Sequence, residues 1–149
     1  MTSRVLCVVL VSLLVLRSGQ ALASDDVTML SIQDVLNAPR AREKLDGSVK
    51  FYFGKPAPGK VLESKGLFVA NPKTNSFAKS VEKACDWAAL SALISLQQRA
   101  KALGANAVVN IQSYYKRHEV TSETQFECHK GFLIAGVALR GEVVRLARP

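Results

Sequence analysis

Apolar positions recur at three- and four-residue intervals from about Phe77 or Ala78 to Leu103, and this period predicts one long helix. Cys85, Ala89, Ala92, Leu96, Ala100 and Leu103 share a face, which Trp87, Leu90 and Ile94 widen beyond half the girth. Ser91, Ser95 and Gln98 lie to the other side. Gly104 is placed to end the helix in a left-handed turn, and Arg99 and Lys101 suit the negative end of its dipole. Elsewhere the period is two. Val49, Phe51 and Phe53 alternate with Lys50 and Tyr52, so Ser48 to Phe53 predicts a strand. A weaker strand is expected around Gly66 to Ala70, and Asn71-Pro72-Lys73 and Asn75-Ser76 read as turns.

After the helix, Ala107 to Tyr115 opens on a nearly continuous apolar run, as a strand buried on both faces would. Val120 to Cys128 alternates, with Lys116 to Glu119 as the hairpin connection. Phe132 to Leu139 is apolar again, and Val143, Val144 and Leu146 extend it past a glycine bulge at Gly141. Strand, long helix, then three strands predict an α+β fold, the helix packed across one mainly antiparallel sheet.

The N-terminal end has another pattern. Arg4 precedes an apolar run, Val5 to Leu16, broken only by Ser12, and Ala21-Leu22-Ala23 is the small-x-small pattern read by signal peptidase. The run is well short of the roughly 20 residues that span a bilayer. Residues 1–23 are therefore expected to be a signal peptide, cleaved between Ala23 and Ser24. That delivers a soluble product to the periplasm, with no transmembrane segment. Residues 24–47 read as an N-terminal arm with a short apolar theme: Val27, Met29, Leu30, Ile32, Val35 and Leu36. Ser31 to Asn37 fits one or two helical turns capped by Ser31, with Pro39 beyond the end; an arm lying on the domain fits as well. Residues 48–149 make a single domain.

Cleavage would remove Cys7 and leave Cys85 and Cys128 as the only thiols in an oxidising compartment. One disulfide is the simplest outcome. Both positions fall on inward faces, so the bridge would tie the helix to the sheet and close a loop worth about 4 kcal/mol of chain entropy. A thiol-redox pair is the rival reading, and the absence of CxxC weighs against it.

Charge adds a second expectation. The chain carries 20 Lys and Arg against 12 Asp and Glu, and losing Arg4 and Arg17 still leaves a surplus of six. Such a balance favours anionic surfaces such as lipopolysaccharide or acidic lipids. The basic residues are scattered, with no arm that would specify nucleic acid. Lys55, Lys60, Lys65, Lys116 and Arg117 are the candidate anion contacts. Tyr114 and Tyr115 stand beside the last two and can stack on a ligand ring.

Three apparent sites carry little. Gly54-Lys55-Pro56-Ala57-Pro58-Gly59-Lys60-Val61 approaches a phosphate-binding loop, but Val61 replaces the magnesium-holding Ser or Thr. Pro56 and Pro58 also remove N–H groups that would cradle phosphate. His118 and His129, the only histidines, read as exposed loop residues, and no ligand spacing for a metal occurs. Glu123 and Glu127 share a strand face and are expected in solvent. No catalytic group or cofactor is expected, and the chain is not expected to be an enzyme.

Cys85-Asp86-Trp87-Ala88-Ala89-Leu90, followed by Ala102-Leu103-Gly104-Ala105-Asn106-Ala107-Val108-Val109, resembles the YbjQ-like putative heavy-metal-binding family and the sensor lipoprotein of the Rcs envelope-stress phosphorelay. Cys128-x-x-x-Phe132-Leu133-Ile134-Ala135-Gly136-Val137-Ala138-Leu139 adds to the likeness, which covers about residues 68–146. In the sensor a disulfide joins the helix to a later strand, as Cys85 and Cys128 would here. The sensor's lipidated cysteine, long linker and second disulfide have no counterpart. Exported sequences of this look are also often labelled excinuclease ATPase subunits, which a short chain without an intact nucleotide loop does not support. The resemblance implies a periplasmic module that works by protein–protein contact with an envelope protein, in an envelope-stress role, alone or as a homo-oligomer. The alternative is a basic binding module for anionic envelope ligands.

Overall fold

The computed structural model describes residues 26–147, so the expected leader and its cleavage point lie outside the described residues. The order is β1 (Asp26–Ser31), α1 (Ile32–Asn37), α2 (Pro39–Lys44), β2 (Lys50–Phe53), β3 (Val61–Ala70), β4 (Lys73–Asn75) and α3 (Val81–Ala102). There follow β5 (Ala107–Ser113), a 3-10 turn (Tyr115–Arg117), β6 (Gln125–Lys130), β7 (Ile134–Gly136) and β8 (Leu139–Leu146). The fold is α+β with one long helix, as the periodicity implies. The strands, however, make two four-stranded sheets instead of one. Sheet A runs β1-β6-β7-β4 and sheet B runs β2-β5-β8-β3. All pairs are antiparallel except β2 with β5.

The sheets are two halves of one surface creased along a line. β3 passes into β4 across Asn71 and Pro72, and its partner β7 passes into β8 across Val137 and Ala138. Val137 N–H donates to Pro72 O and Tyr114 N–H to Ala138 O, which closes the crease. Helix α3 packs on the inner face of both halves, and α1 packs against it. The core is built from Leu90, Leu93 and Leu96 of α3, Phe126 of β6, Val108 and Ile111 of β5, and Val143 of β8.

Helix α3 begins at Val81, a turn later than expected, because the Ser80 side chain caps it by accepting from Lys83 N–H. It ends at Ala102, with Gly104 at φ +66. Trp87 belongs to its outer side, 41% exposed, with Arg40 stacked on the ring at 4.4 Å. The N-terminal segment is integral to the domain: β1 is a sheet strand and Ile32, Val35 and Ala41 are core residues. Ser31 caps α1, as its residue type implies, and Pro39 opens α2 at the position where a missing N–H costs nothing.

Several strand expectations need correcting. Lys73–Asn75 is a strand, not a turn, and the weak strand before it is the longest, Val61–Ala70. Val120 to Thr124 is irregular; only Val120 bridges Ser113, and Ser122 Oγ accepts from Thr124 and Gln125 N–H in place of a ladder. The bulge is not at Gly141. Val109 pairs Glu142 while Gln112 pairs Arg140, so the extra residue is in β5, where Asn110 adopts φ +49. The bulge turns Val108 and Ile111 onto one face above Gly141. A Cβ there would come within 2.6 Å of Val108 Cγ1 and 3.0 Å of Ile111 Cγ1. Glycine is required by that close approach.

Cys85 and Cys128 are both fully buried, with sulfurs 2.09 Å apart and Cα atoms 5.9 Å apart. The pair joins α3 to the second strand of sheet A, from the inner side.

Candidate ligand-binding face

The outer faces of the two sheets differ. On sheet B, Ala107 and Val109 of β5 and Val144 of β8 are buried although they point away from α3. Residues 54–60 cover them as a strap. Gly54 N–H donates to Ile111 O, Asn110 N–H to Lys55 O, and Ala147 N–H to Lys60 O, while Ala57 packs on the apolar cluster. The sequence that imitates a phosphate loop is thus a proline-stiffened roof. Gly54 (φ +61) lies against the backbone of Ser122, and Lys55 Nζ bridges Glu123 at 3.1 Å.

Among the described residues sheet A has no such roof. Register places Val27 of β1, His129 of β6, Gly136 of β7 and Lys73 of β4 in one cross-strand row. Met29 opposite Glu127 and Asn75 opposite Ile134 flank that row on the same face. Glu127 and His129 sit two apart on one strand, so their side chains meet: Nε2 lies 2.6 Å from Oε1, both side chains close to 90% buried. Glu127 N–H is held by Ser113 Oγ at 2.8 Å. The Tyr115 ring stacks on His129 at 3.5 Å, nearly parallel. It is carried there by a turn in which Lys116 and Arg117 take left-handed φ of +50 and +67. That conformation costs non-glycine residues about 1 kcal/mol or more each. Lys116 Nζ stands 5.3 Å from the Tyr115 ring.

The end of sheet A is apolar and bare. Phe132 is 77% exposed, Leu133 59%, Phe77 56% and Ile134 54%. They belong together: Phe77 meets Phe132 edge-on at 5.6 Å, Ser76 N–H donates to Leu133 O, and Ser76 Oγ donates to Gly131 O. Between this end and the Tyr115–His129 stack lies a cleft of about 400 Å³, lined also by Lys73, Gly131 and Gly136. Lys73 lines it, Lys79 Nζ donates to Asn75 O opposite Ile134, and Lys116 stands beside the Tyr115 ring; none of the three has a carboxylate partner among the described residues. A larger hollow of about 620 Å³ lies beside Lys101 and Arg145. Its cations are neutralised, Lys101 by Asp46 and Arg145 by Glu63. Hydrogen bonds from Lys101 and Ser48 hold Asp46 well below the usual carboxylate range, and a bond from Lys65 lowers Glu63.

Of the anion contacts expected from sequence, Lys116 and Tyr115 reach this face, with Arg117 in the same turn. Lys55 is paired to Glu123 and Lys65 to Glu63, both on the sheet B side, and Lys60 ends the strap. Tyr114 lies under Arg140, which bridges Glu119 at 2.6 Å. His118 is exposed, as expected. His129 is not a loop residue, and Glu127 does not point to solvent; both belong to β6, whose true span the alternation starting at Val120 concealed. Phe132-Leu133-Ile134 directly after Gly131 is the sequence signal for an exposed tip, legible only once the hairpin turn is placed there.

Among the described residues no helix is long and apolar enough to cross a membrane, and no group of three or more potential ligands is arranged for a metal ion. No serine or cysteine lines the cleft. No family model, curated protein or solved structure matches the chain.

Proposed function

We propose that the chain is an exported module that works by binding, docking the open end of sheet A onto an anionic lipid surface of the envelope. One observation carries this reading: four large exposed apolar side chains lie at one end of sheet A together with Lys73, and near Lys79 and Lys116, lysines without carboxylate partners among the described residues. Each fully buried Phe or Leu is worth about 1.5–3 kcal/mol, and each lysine near an anionic surface about 1 kcal/mol. Neither share alone holds a protein firmly; together they give a usable affinity. The apolar tip is too short to span a bilayer and suits shallow insertion at the headgroup level.

Vesicle flotation tests the reading. Wild type is expected to float with phosphatidylglycerol-rich vesicles and not with purely zwitterionic ones, and added salt should weaken the binding. Phe132→Ser with Leu133→Ser should weaken it about tenfold or more, since 1.4 kcal/mol is a factor of ten. Binding unaffected by that pair, or none to anionic vesicles, would overturn the reading and leave the same apolar end to a protein partner, as the stress-sensor resemblance implies.

A further inference from the structure

The cleft beside the apolar tip has features that flat docking does not use. Its back wall is aromatic and fixed, because Glu127 holds His129 and His129 carries Tyr115. Its front wall is Phe132, Leu133 and Ile134. Its floor is Gly136, where an added Cβ would stand 3.6 Å from Lys73 Cγ, so glycine keeps the floor one methyl deeper. Lys73 stands at one rim, and Lys116 Nζ lies 5.3 Å from the ring of Tyr115, which lines the other. The one carboxylate beneath the back wall is occupied by the imidazole and nearly buried. At about 400 Å³ the volume is within the range of small-molecule sites.

We infer that this cleft binds a single amphiphile with one anionic head, phosphate or carboxylate, on a short hydrocarbon chain. The head meets the Lys73 ammonium group, and the chain lies along Phe132, Leu133 and Ile134 against the Tyr115–His129 stack. This rests on sheet A's open face being the working surface, and it adds recognition of one molecule to attachment to a surface. Lysine suits it as a point charge that meets phosphate and carboxylate alike. The strained turn at Lys116 and Arg117 is where a ligand clamp would be stored.

The test is a titration of the full chain followed by amide NMR, with dihexanoyl phosphatidic acid kept below its micelle concentration. Saturable shifts are expected at Lys73, Tyr115, Lys116, His129 and Gly131–Gly136. Inorganic phosphate and dihexanoyl phosphatidylcholine should each bind at least about tenfold more weakly, a difference of about 1.4 kcal/mol. Gly136→Ala, which fills the floor at ordinary contact distance, and Lys73→Gln, an exposed change, should each weaken binding several-fold with unchanged circular dichroism. Inorganic phosphate binding as tightly as the lipid would replace the amphiphile by a free phosphate. Absent or non-saturating shifts, or both variants binding like wild type, would overturn the site. Vesicle docking without soluble-lipid binding would sink this inference alone; soluble-lipid binding without docking would sink only the surface reading.

Discussion

The outer faces of sheets A and B are made of similar strands and are covered to different extents. Sheet B is buried on both sides only at its centre, where the strap of residues 54–60 roofs Ala107, Val109 and Val144, while Leu67 and Val69 of its edge strand β3 stay 62% and 52% exposed. Sheet A is buried only on its inner side and leaves Val27 and Ile134 bare. A face left bare needs its stability from elsewhere, and sheet A receives a covalent tie from within, Cys85 to Cys128. The charges divide the same way. Among the described residues around sheet B, Lys55, Lys65, Lys101 and Arg145 have carboxylate partners while Lys50 and Lys60 do not; Lys73, Lys79 and Lys116 at the end of sheet A have none. The centre of sheet B is finished as a folded surface, and the end of sheet A remains available.

The tie is the strongest place to break the comparison. Replacing both Cys85 and Cys128 by alanine should cost about 4 kcal/mol, the chain-entropy value for a loop with a sequence separation of 43 residues. Denaturant unfolding measures the loss. Hydrogen exchange should show it falling unevenly, faster in β1, β6 and β7 than in β5 and β8. Uniform loosening would mean that the two halves do not depend on different supports.

The roof supplies the next contrast. Val144→Ala removes two buried methyl groups from sheet B's outer face and should cost about 2 kcal/mol from lost burial and the cavity left. Ile134→Ala removes a larger piece from sheet A's outer face, yet should change stability by less than about 0.5 kcal/mol because the side chain is already in water. Similar costs for the two would mean that the end of sheet A is covered in solution.

This division was only half legible in the sequence. The run Ala107-Val108-Val109 announced a strand covered on both faces, and all three residues are buried; nothing in it named the strap as the cover. The long helix and the buried cysteine pair were legible because a 3.6-residue period and two thiols are local signals. β1 was not. Its apolar Val27 and Met29 face outward while Thr28 faces in opposite Cys128, so alternation reads the wrong way round. Lys73-Thr74-Asn75 has no strand character, and only its partner β7 makes it one. Gly141 looked like a bulge because glycine in a strand often marks one. It is the residue that makes room for the bulge across the ladder. The candidate face was missed for the same reason: Tyr115, His129 and Lys73 come from three separate segments that only the crease brings together.

The smallest expected effect concerns the paired cations around sheet B. Lys65 lowers Glu63, and Lys101 with Ser48 lowers Asp46, so both carboxylates keep their charge to lower pH than a free carboxylate would. A lowered folded value means the pairing is present above the unfolded value and is lost only as pH falls through the lower folded one. Both pairs face solvent, so fold stability should scarcely register the change. Their loss would instead free Lys65, Lys101 and Arg145 as a second basic surface. Phe132→Ser with Leu133→Ser should therefore stay weak on anionic vesicles from about pH 7 to about pH 5, and regain some binding only in stronger acid. Recovery already near pH 6 would mean that these two ion pairs do not hold the second basic surface in check. The charge difference between the two faces would then not be set by the ion pairs on sheet B.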